Sequence, residues 1–180
     1  MSLEVENDII RVNNQLCNFS KDGRFFATAY QTNLIIKNHK KLDTIHSFVF
    51  PDIIEYLEWS KNSEYILCAN IKKAIIQIYS IRYPEWKYKL IEGSAGLESV
   101  TWSPDSKYIL TLSDFNIQIS IWSLENQNVT HIQNVKSSFH KLYFSPNGYK
   151  LATVVTNEGK DNIEVYKTDT WKLNKVSNLI

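Results

Sequence analysis

The sequence predicts an all-β fold of about four repeats, each a four-stranded blade, which together form half of a propeller or an open arc. Two observations carry this. An aromatic-Ser pair recurs at Phe19-Ser20, Trp59-Ser60, Trp102-Ser103 and Phe144-Ser145, at spacings of 40, 43 and 42 residues. Each pair opens a polar turn followed by an apolar run, and a period of about 40 to 45 residues holding four short strands is that of a propeller blade.

The third repeat, Leu90 to Leu124, shows the unit most completely. A strand ends at Trp102, and Ser103-Pro104-Asp105-Ser106 suits a tight turn because Pro presets φ while Asp and Ser side chains bond nearby amides. Tyr108 to Leu112 is a second strand. In Ile117 to Trp122 apolar residues alternate with polar ones, which is the period of a strand with unlike faces. The other turns are Lys21-Asp22-Gly23, Lys61-Asn62-Ser63 and Pro146-Asn147-Gly148, and the strands after them begin Phe25-Phe26-Ala27, Tyr65-Ile66-Leu67 and Tyr149-Lys150-Leu151. Third-strand pairs follow at Leu34 and Ile36, Ala74 and Ile76, and Ile117 and Ile119. The fourth pair, Ile163 and Val165, comes later because Asn157 to Asp161 lengthens the preceding turn.

In chain order, residues 1–12 form a lead-in, a segment that in a propeller can supply a closing strand, and residues 13–180 form the blades, at about 15–50, 54–92, 97–135 and 140–180. Pro51-Asp52 and Tyr83-Pro84 are expected to punctuate the first two junctions, where no ladder N–H is needed. A blade buries its faces against neighbours, and propellers close with about four to eight blades. Three readings of four units stay open: a truncated or split longer protein, two chains sharing one ring, or an open arc that can self-associate through its edge.

Composition bounds the partners. With 20 basic and 19 acidic residues, the chain has no electrostatic footprint for nucleic acid or an anionic membrane, and no apolar run approaches a membrane span. Its 43% hydrophobic content fits a folded domain. Cys17 and Cys68 are expected to be buried free thiols. His39, His46, His131 and His140 fall at unrelated repeat positions, so no metal site is expected, and no cofactor or catalytic residue is assigned. Gly93-Ser94-Ala95-Gly96 lacks the Gly-Lys-Ser/Thr ending of a phosphate loop. It belongs to Glu92 to Leu97, which reads as the loop from an outer strand to the next inner strand, either a docking surface or a tight connection. Trp86, near Pro84, fits either a partner anchor or inter-blade packing. The candidate partner-binding residues are thus Pro84, Trp86, Glu92, Gly93, Ser94, Ala95, Gly96 and Leu97. Trp59, Trp102 and Trp122 stand at strand ends and are assigned to packing.

The repeat resembles the WD40 pattern, in which a strand ending in an aromatic-Ser-Pro-Asp-Gly-like turn precedes a strand ending in Trp-Asp. Here the terminal dipeptides are Lys37-Asn38, Tyr79-Ser80, Trp122-Ser123 and Tyr166-Lys167, and no Gly-His pair precedes the first strands. Pro84-Glu85-Trp86, Glu92 to Leu97, Trp102 to Asp105, Ile121 to Leu124, Leu16-Cys17, Glu58-Trp59-Ser60 and Ile66 to Ala69 look like the N-terminal half of one centrosomal and spindle-pole WD-repeat family, called WD-repeat protein eight. That resemblance implies a non-catalytic scaffold in the cytoplasm and cytoskeleton, at a centrosome, spindle pole or basal body. It would serve microtubule anchoring, spindle organisation or cilium assembly with a coiled-coil protein partner. The alternative is a WD-repeat adaptor of another complex, in ubiquitin ligation or RNA processing.

Overall fold

The computed structural model describes residues 12, 16–93, 96–113, 118–136 and 142–178. Most of the expected lead-in, together with Ser94, Ala95, Ile117 and His140, lies outside the described residues. Among the described residues, sixteen strands form four antiparallel sheets of four, each ordered as in the chain. Blade one holds β1 (Cys17–Phe19), β2 (Phe25–Tyr30), β3 (Asn33–Asn38) and β4 (Thr44–Val49). Blade two holds β5 (Tyr56–Trp59), β6 (Tyr65–Asn70), β7 (Ile75–Ser80) and β8 (Lys87–Ile91). Blade three holds β9 (Leu97–Trp102), β10 (Tyr108–Ser113), β11 (Ile119–Ser123) and β12 (Val129–Ile132), and blade four holds β13 (Tyr143–Phe144), β14 (Lys150–Asn157), β15 (Lys160–Lys167) and β16 (Leu173–Asn178). The first strands are innermost: β1 lies against β5, and β5 against β9. Pro51-Asp52 falls between blades one and two as expected. Tyr83-Pro84 does not mark a junction; it sits in the turn between β7 and β8, where Trp86 N–H closes on the Tyr83 carbonyl at 2.9 Å.

Because neighbouring sheets stack face to face, the middle strands of blades two and three are buried on both sides, with single polar residues such as Gln77, Thr111 and Ser120 among their apolar ones. In β6, Ile66 and Cys68 pack toward blade one while Leu67 and Ala69 pack toward blade three. The same alternation sends Ile109 to blade two and Leu110 and Leu112 to blade four. Three inter-blade cores result, filled by Ile, Leu and Trp side chains, each fully buried one contributing about 1.5–3 kcal/mol. Cys68 is one of these core residues, and burial pushes its thiol well above the ordinary range. Cys17 departs from expectation: it is exposed, because no described strand packs on the outer side of β1.

The aromatic-Ser turns explain the period. In each blade the Ser hydroxyl donates to the Asp or Asn two residues on, in the pairs Ser20–Asp22, Ser60–Asn62, Ser103–Asp105 and Ser145–Asn147. It also accepts the amide that opens the next strand, from Phe25, Tyr65, Tyr108 and Lys150, each at 3.0 Å. The residue after the Asp or Asn is left-handed, with φ of 73° at Gly23, 60° at Ser63, 62° at Ser106 and 75° at Gly148. Serine tolerates this strained backbone at two positions because its hydroxyl joins the blades. Ser63 Oγ accepts the Asp22 amide at 3.0 Å, and Ser106 Oγ accepts the Asn62 amide at 3.1 Å. At the third seam Gly148 replaces Ser, and a Cβ there would lie 2.8 Å from Pro104 Cβ. That seam is held elsewhere, by Lys136 paired with Asp161 and by amide-to-carbonyl bonds of 2.9 Å from Lys136 to Val154 and from Thr156 to Asn134.

Gly148→Ala is therefore expected to cost about 3 kcal/mol, from overlap with Pro104 added to left-handed strain. Gly159→Ala, at a similar φ but with open space around its Cβ, is expected to cost about 1 kcal/mol. Denaturant midpoints of the two variants check the difference.

Candidate functional site

Two polar groups stand out on the innermost strand of blade two, on the face that alternates with Leu57 and Trp59; Tyr56 packs against the core between blades two and three. Tyr56 and Glu58 are two apart on β5, so their side chains share a face, and Thr101 of β9 lies beside them. The Tyr56 hydroxyl donates to Glu58 Oε2 at 3.2 Å, and Thr101 Oγ1 donates to Glu58 Oε1 at 3.1 Å. Burial pushes the Glu58 carboxyl above its ordinary range, a rise only partly offset by those hydrogen bonds and by the Lys61 charge. Tyr56 is raised by burial and by the Glu58 carboxylate. The pair forms one side of a groove of about 550 Å³, completed by Tyr143, Phe144 and Pro146 of blade four.

The groove exists because the seam there lacks two joints. In blades two and three the indole of the anchor Trp reaches back: Trp59 Nε1–H donates to the Asn18 carbonyl at 3.1 Å, and Trp102 Nε1–H to the Glu58 carbonyl at 3.2 Å. Phe144 has no such donor, and Gly148 has no hydroxyl. The inner strands of blades three and four are consequently joined by neither bond, and the space between them opens.

The candidates from Pro84 to Leu97 do not form one patch. β7 and β8 are antiparallel with Tyr79 opposite Lys87 and Ile75 opposite Ile91, so the turn carrying Pro84 and Trp86 lies at one end of blade two and the connection from Glu92 at the other. They are separated by a strand length, about 17 Å. Pro84 is exposed. Trp86 is half-buried, 5.4 Å from the Tyr65 ring, and borders a depression shared with Asn62, Asp105 and Leu124. At the other end Gly93 is exposed, Gly96 is half-buried and Leu97 is buried, with both glycines left-handed at φ of 52° and 70°.

Glu92 turns inward. It is 7% exposed, and its carboxylate accepts from Thr111 Oγ1 at 2.6 Å, Ser120 Oγ at 2.7 Å and Trp122 Nε1 at 3.1 Å. The Trp122 indole also lies 3.0 Å from Thr111 Oγ1, and His131 Nδ1 lies 3.1 Å from Ser120 Oγ. A side-chain network thus ties the connection of blade two to the two central strands of blade three, although the sequence has neither Gly-His nor Trp-Asp. Trp59, Trp102 and Trp122 all pack between blades, and each also donates a hydrogen bond. The most conspicuous serines, Ser20, Ser60, Ser103 and Ser145, are engaged in their turns. Among the described residues no three His, Cys, Asp or Glu side chains are grouped to hold a metal ion.

Tyr56 and Glu58 escaped the sequence reading. Their signal was an acid directly before an anchor Trp, on the alternate face of the shortest strand of the unit. Glu92 was seen, but its inward direction depends on the neighbouring blade.

Four stacked four-stranded blades with this turn chemistry define a WD40-type β-propeller arc. The chain belongs to the WD-repeat propellers and, over residues 35–170, matches the family described as eukaryotic translation initiation factor eIF2A, of which it is a member. It is 33% identical over 167 residues to the mouse WD repeat-containing protein WRAP73, covering 93% of this chain and 36% of that protein. An uncharacterized WD repeat-containing protein of Schizosaccharomyces pombe is 24% identical over 165 residues, covering 87% of this chain and 34% of the relative. The chain thus spans about a third of the length of these curated relatives. Among solved structures, the β-propeller domain of Cps50 (Swd1) from Myceliophteria thermophila superposes with a TM-score of 0.66 over 96% of this chain and 57% of that one, at 12% identity, a likeness of fold alone.

Two outcomes are expected from substitution. Glu92→Ala takes the shared acceptor from buried Thr111 and Ser120 and from half-buried Trp122, and lowers stability by about 3 kcal/mol, read from denaturant titration. Glu58 works through pH. Its folded carboxyl holds its proton above the unfolded value of 4.5, so its stabilising contribution is complete below pH 4.5 and lost as pH rises through the raised value. Unfolding midpoints followed upward from pH 4.5 fall less in Glu58→Gln than in the parent.

Proposed function

We infer that the chain is a non-catalytic WD-repeat scaffold of a complex at the centrosome, spindle pole or basal body, contributing to microtubule anchoring, spindle organisation or cilium assembly. The observation that carries this reading is the 33% identity to WRAP73 across 93% of the chain, joined to the motif resemblance around Pro84-Glu85-Trp86 and Glu92 to Leu97. The architecture supports it physically, since a stack of rigid sheets displays loops at both ends with little conformational cost on binding. Near-neutral charge favours docking to a protein partner, such as a coiled coil, over direct binding to the acidic microtubule surface. Pro84, Trp86, Gly93 and Gly96 are the contact residues that this reading uses; Leu97 and Glu92 hold the connection in shape from beneath.

The match to the eIF2A family favours a second reading, an adaptor in translation initiation, one form of the wider WD-repeat adaptor alternative that includes ubiquitin ligation and RNA processing. Affinity capture of the tagged chain from dividing cells, with imaging against a centrosomal marker, separates them. Enrichment of centrosomal coiled-coil proteins with focal staining is expected. Enrichment of initiation factors, ligase subunits or processing factors, with diffuse staining, would overturn the first reading. The double substitution Pro84→Ala and Trp86→Ala is expected to lower capture of the partner by about tenfold, the usual effect of removing an aromatic anchor.

A further inference from the structure

At the end of the stack that carries the aromatic-Ser turns, blades two and three leave a depression of about 500 Å³ between them. Both of its walls belong to described blades, so the stacking of a further blade does not fill it. Two of its lining residues are aromatic and half-buried: the Tyr65 ring, stacked on Trp102 at 6.1 Å, also meets Trp86 at 5.4 Å. The rim is acidic. Glu64 directly precedes β6, Asp105 lies in the turn before β10 and Glu125 follows β11, three exposed carboxylates against the ammonium of Lys107.

The repeat supplies its own comparison. Between blades one and two the equivalent depression is smaller, about 370 Å³, and is lined by Arg24, Phe25, Glu64 and Arg82. Phe25 opens β2 as Tyr65 opens β6, and it stacks on Trp59 at the same 6.1 Å. Arg24 stands where blade two has Glu64. Its guanidinium lies 5.2 Å from the Phe25 ring centre and pairs with Asp22 at 2.6 Å. The turn from β3 to β4 holds no aromatic residue, so blade one has no counterpart of Trp86. In the first seam the chain thus sets its own guanidinium over a ring and against a carboxylate. In the second it has the rings and the carboxylates, and Glu64 in place of the guanidinium.

We propose that this depression receives an arginine side chain of a partner protein, its guanidinium against the Tyr65 and Trp86 rings and its charge met by Glu64, Asp105 and Glu125. A guanidinium is planar and weakly hydrated, and it stacks on an aromatic face while its in-plane N–H groups reach carboxylates, which a compact ammonium does not do. Three carboxylates against one ammonium favour a basic segment over an acidic one. The proposal rests on the use of Trp86 as a contact residue in the reading above, and it gives that contact a chemistry.

The test is a titration of the purified 180-residue chain with a synthetic peptide, acetyl-Ser-Leu-Arg-Leu-Ser-amide, followed by NMR at the Trp86 indole N–H, which Trp86→Phe assigns. A saturable shift is expected with this peptide. Binding about tenfold weaker is expected when citrulline, of the same shape without the charge, replaces the arginine. Asp105→Asn with Glu125→Gln keeps the fold, since Asn already fills that turn position at Asn62 and Asn147, and is expected to weaken the arginine peptide about tenfold. Asn62→Asp with Glu64→Arg copies Asp22 and Arg24 into blade two, fills the depression from within and abolishes binding. An indole signal unmoved by the arginine peptide, equal binding of the citrulline peptide, or full affinity in the Asp105→Asn, Glu125→Gln variant would overturn the proposal. Focal centrosomal staining without arginine binding overturns this proposal alone; arginine binding with diffuse staining overturns only the centrosomal reading.

Discussion

One hydroxyl per blade organises this molecule. The Ser of each aromatic-Ser pair donates to an Asp or Asn two residues ahead and accepts the amide that begins the next strand. That closed loop fixes how β1 enters β2, β5 enters β6, and so on, and holds the following residue left-handed. Once that residue is in place, its side chain faces the previous blade. Inter-blade geometry is thus set at the turn, and the apolar faces stack in a register the turn has already chosen. Asp22 adds charge to this arrangement: burial acts to raise its carboxyl, but the bonds from the Arg24 amide, the Ser20 hydroxyl and the Arg24 guanidinium outweigh it and hold it at about 2. Its support is therefore present above 3.8 and lost as pH falls from there through about 2.

The seams are equivalent in packing but unlike in polar chemistry, and the differences place the features of interest. Between blades one and two the amide-hydroxyl bond and the Trp59 indole draw the inner ends together. Between blades two and three the same pair of joints is joined by the Glu92 network at the opposite end, so this seam is clamped at both ends. Between blades three and four the inner end is free of both joints, and the groove bounded by Glu58 and Tyr143 lies there. The groove borders the seam with the fewest cross-links, while the Glu58 carboxyl on its wall is itself bonded across the clamped seam by Thr101. The stiffest seam carries the connection that the WD-repeat resemblance singles out.

Legibility followed the range of the forces involved. The four-residue turn is local: its Pro, Asp, Ser and Gly preferences act within the turn itself, so the blades were readable from Phe19-Ser20, Trp59-Ser60, Trp102-Ser103 and Phe144-Ser145. Glu92 shows where that stops. An acid in a Gly-containing connection reads as an exposed contact, and only the arrival of Thr111, Ser120 and Trp122 from another sheet turns it inward. Cys17 fails in the other direction. Its strand pattern matches that of buried strands, but burial of an inner strand depends on what lies beside it.

By itself, the sequence determined the all-β class, the repeat, the turn type and the apolar faces, because these depend on side-chain volume, backbone preference and a period of two, all properties of neighbours in the chain. The tertiary structure alone decided which polar groups are desolvated and which loops share an end of the molecule. Pro84 and Glu92 are eight residues apart yet lie at opposite ends of blade two, because an antiparallel strand carries the chain across the sheet between them. Glu58 and Thr101, in different blades, meet because stacking brings β5 and β9 side by side. Desolvation and juxtaposition are set by atoms distant in sequence, so they emerge only when the blades are assembled.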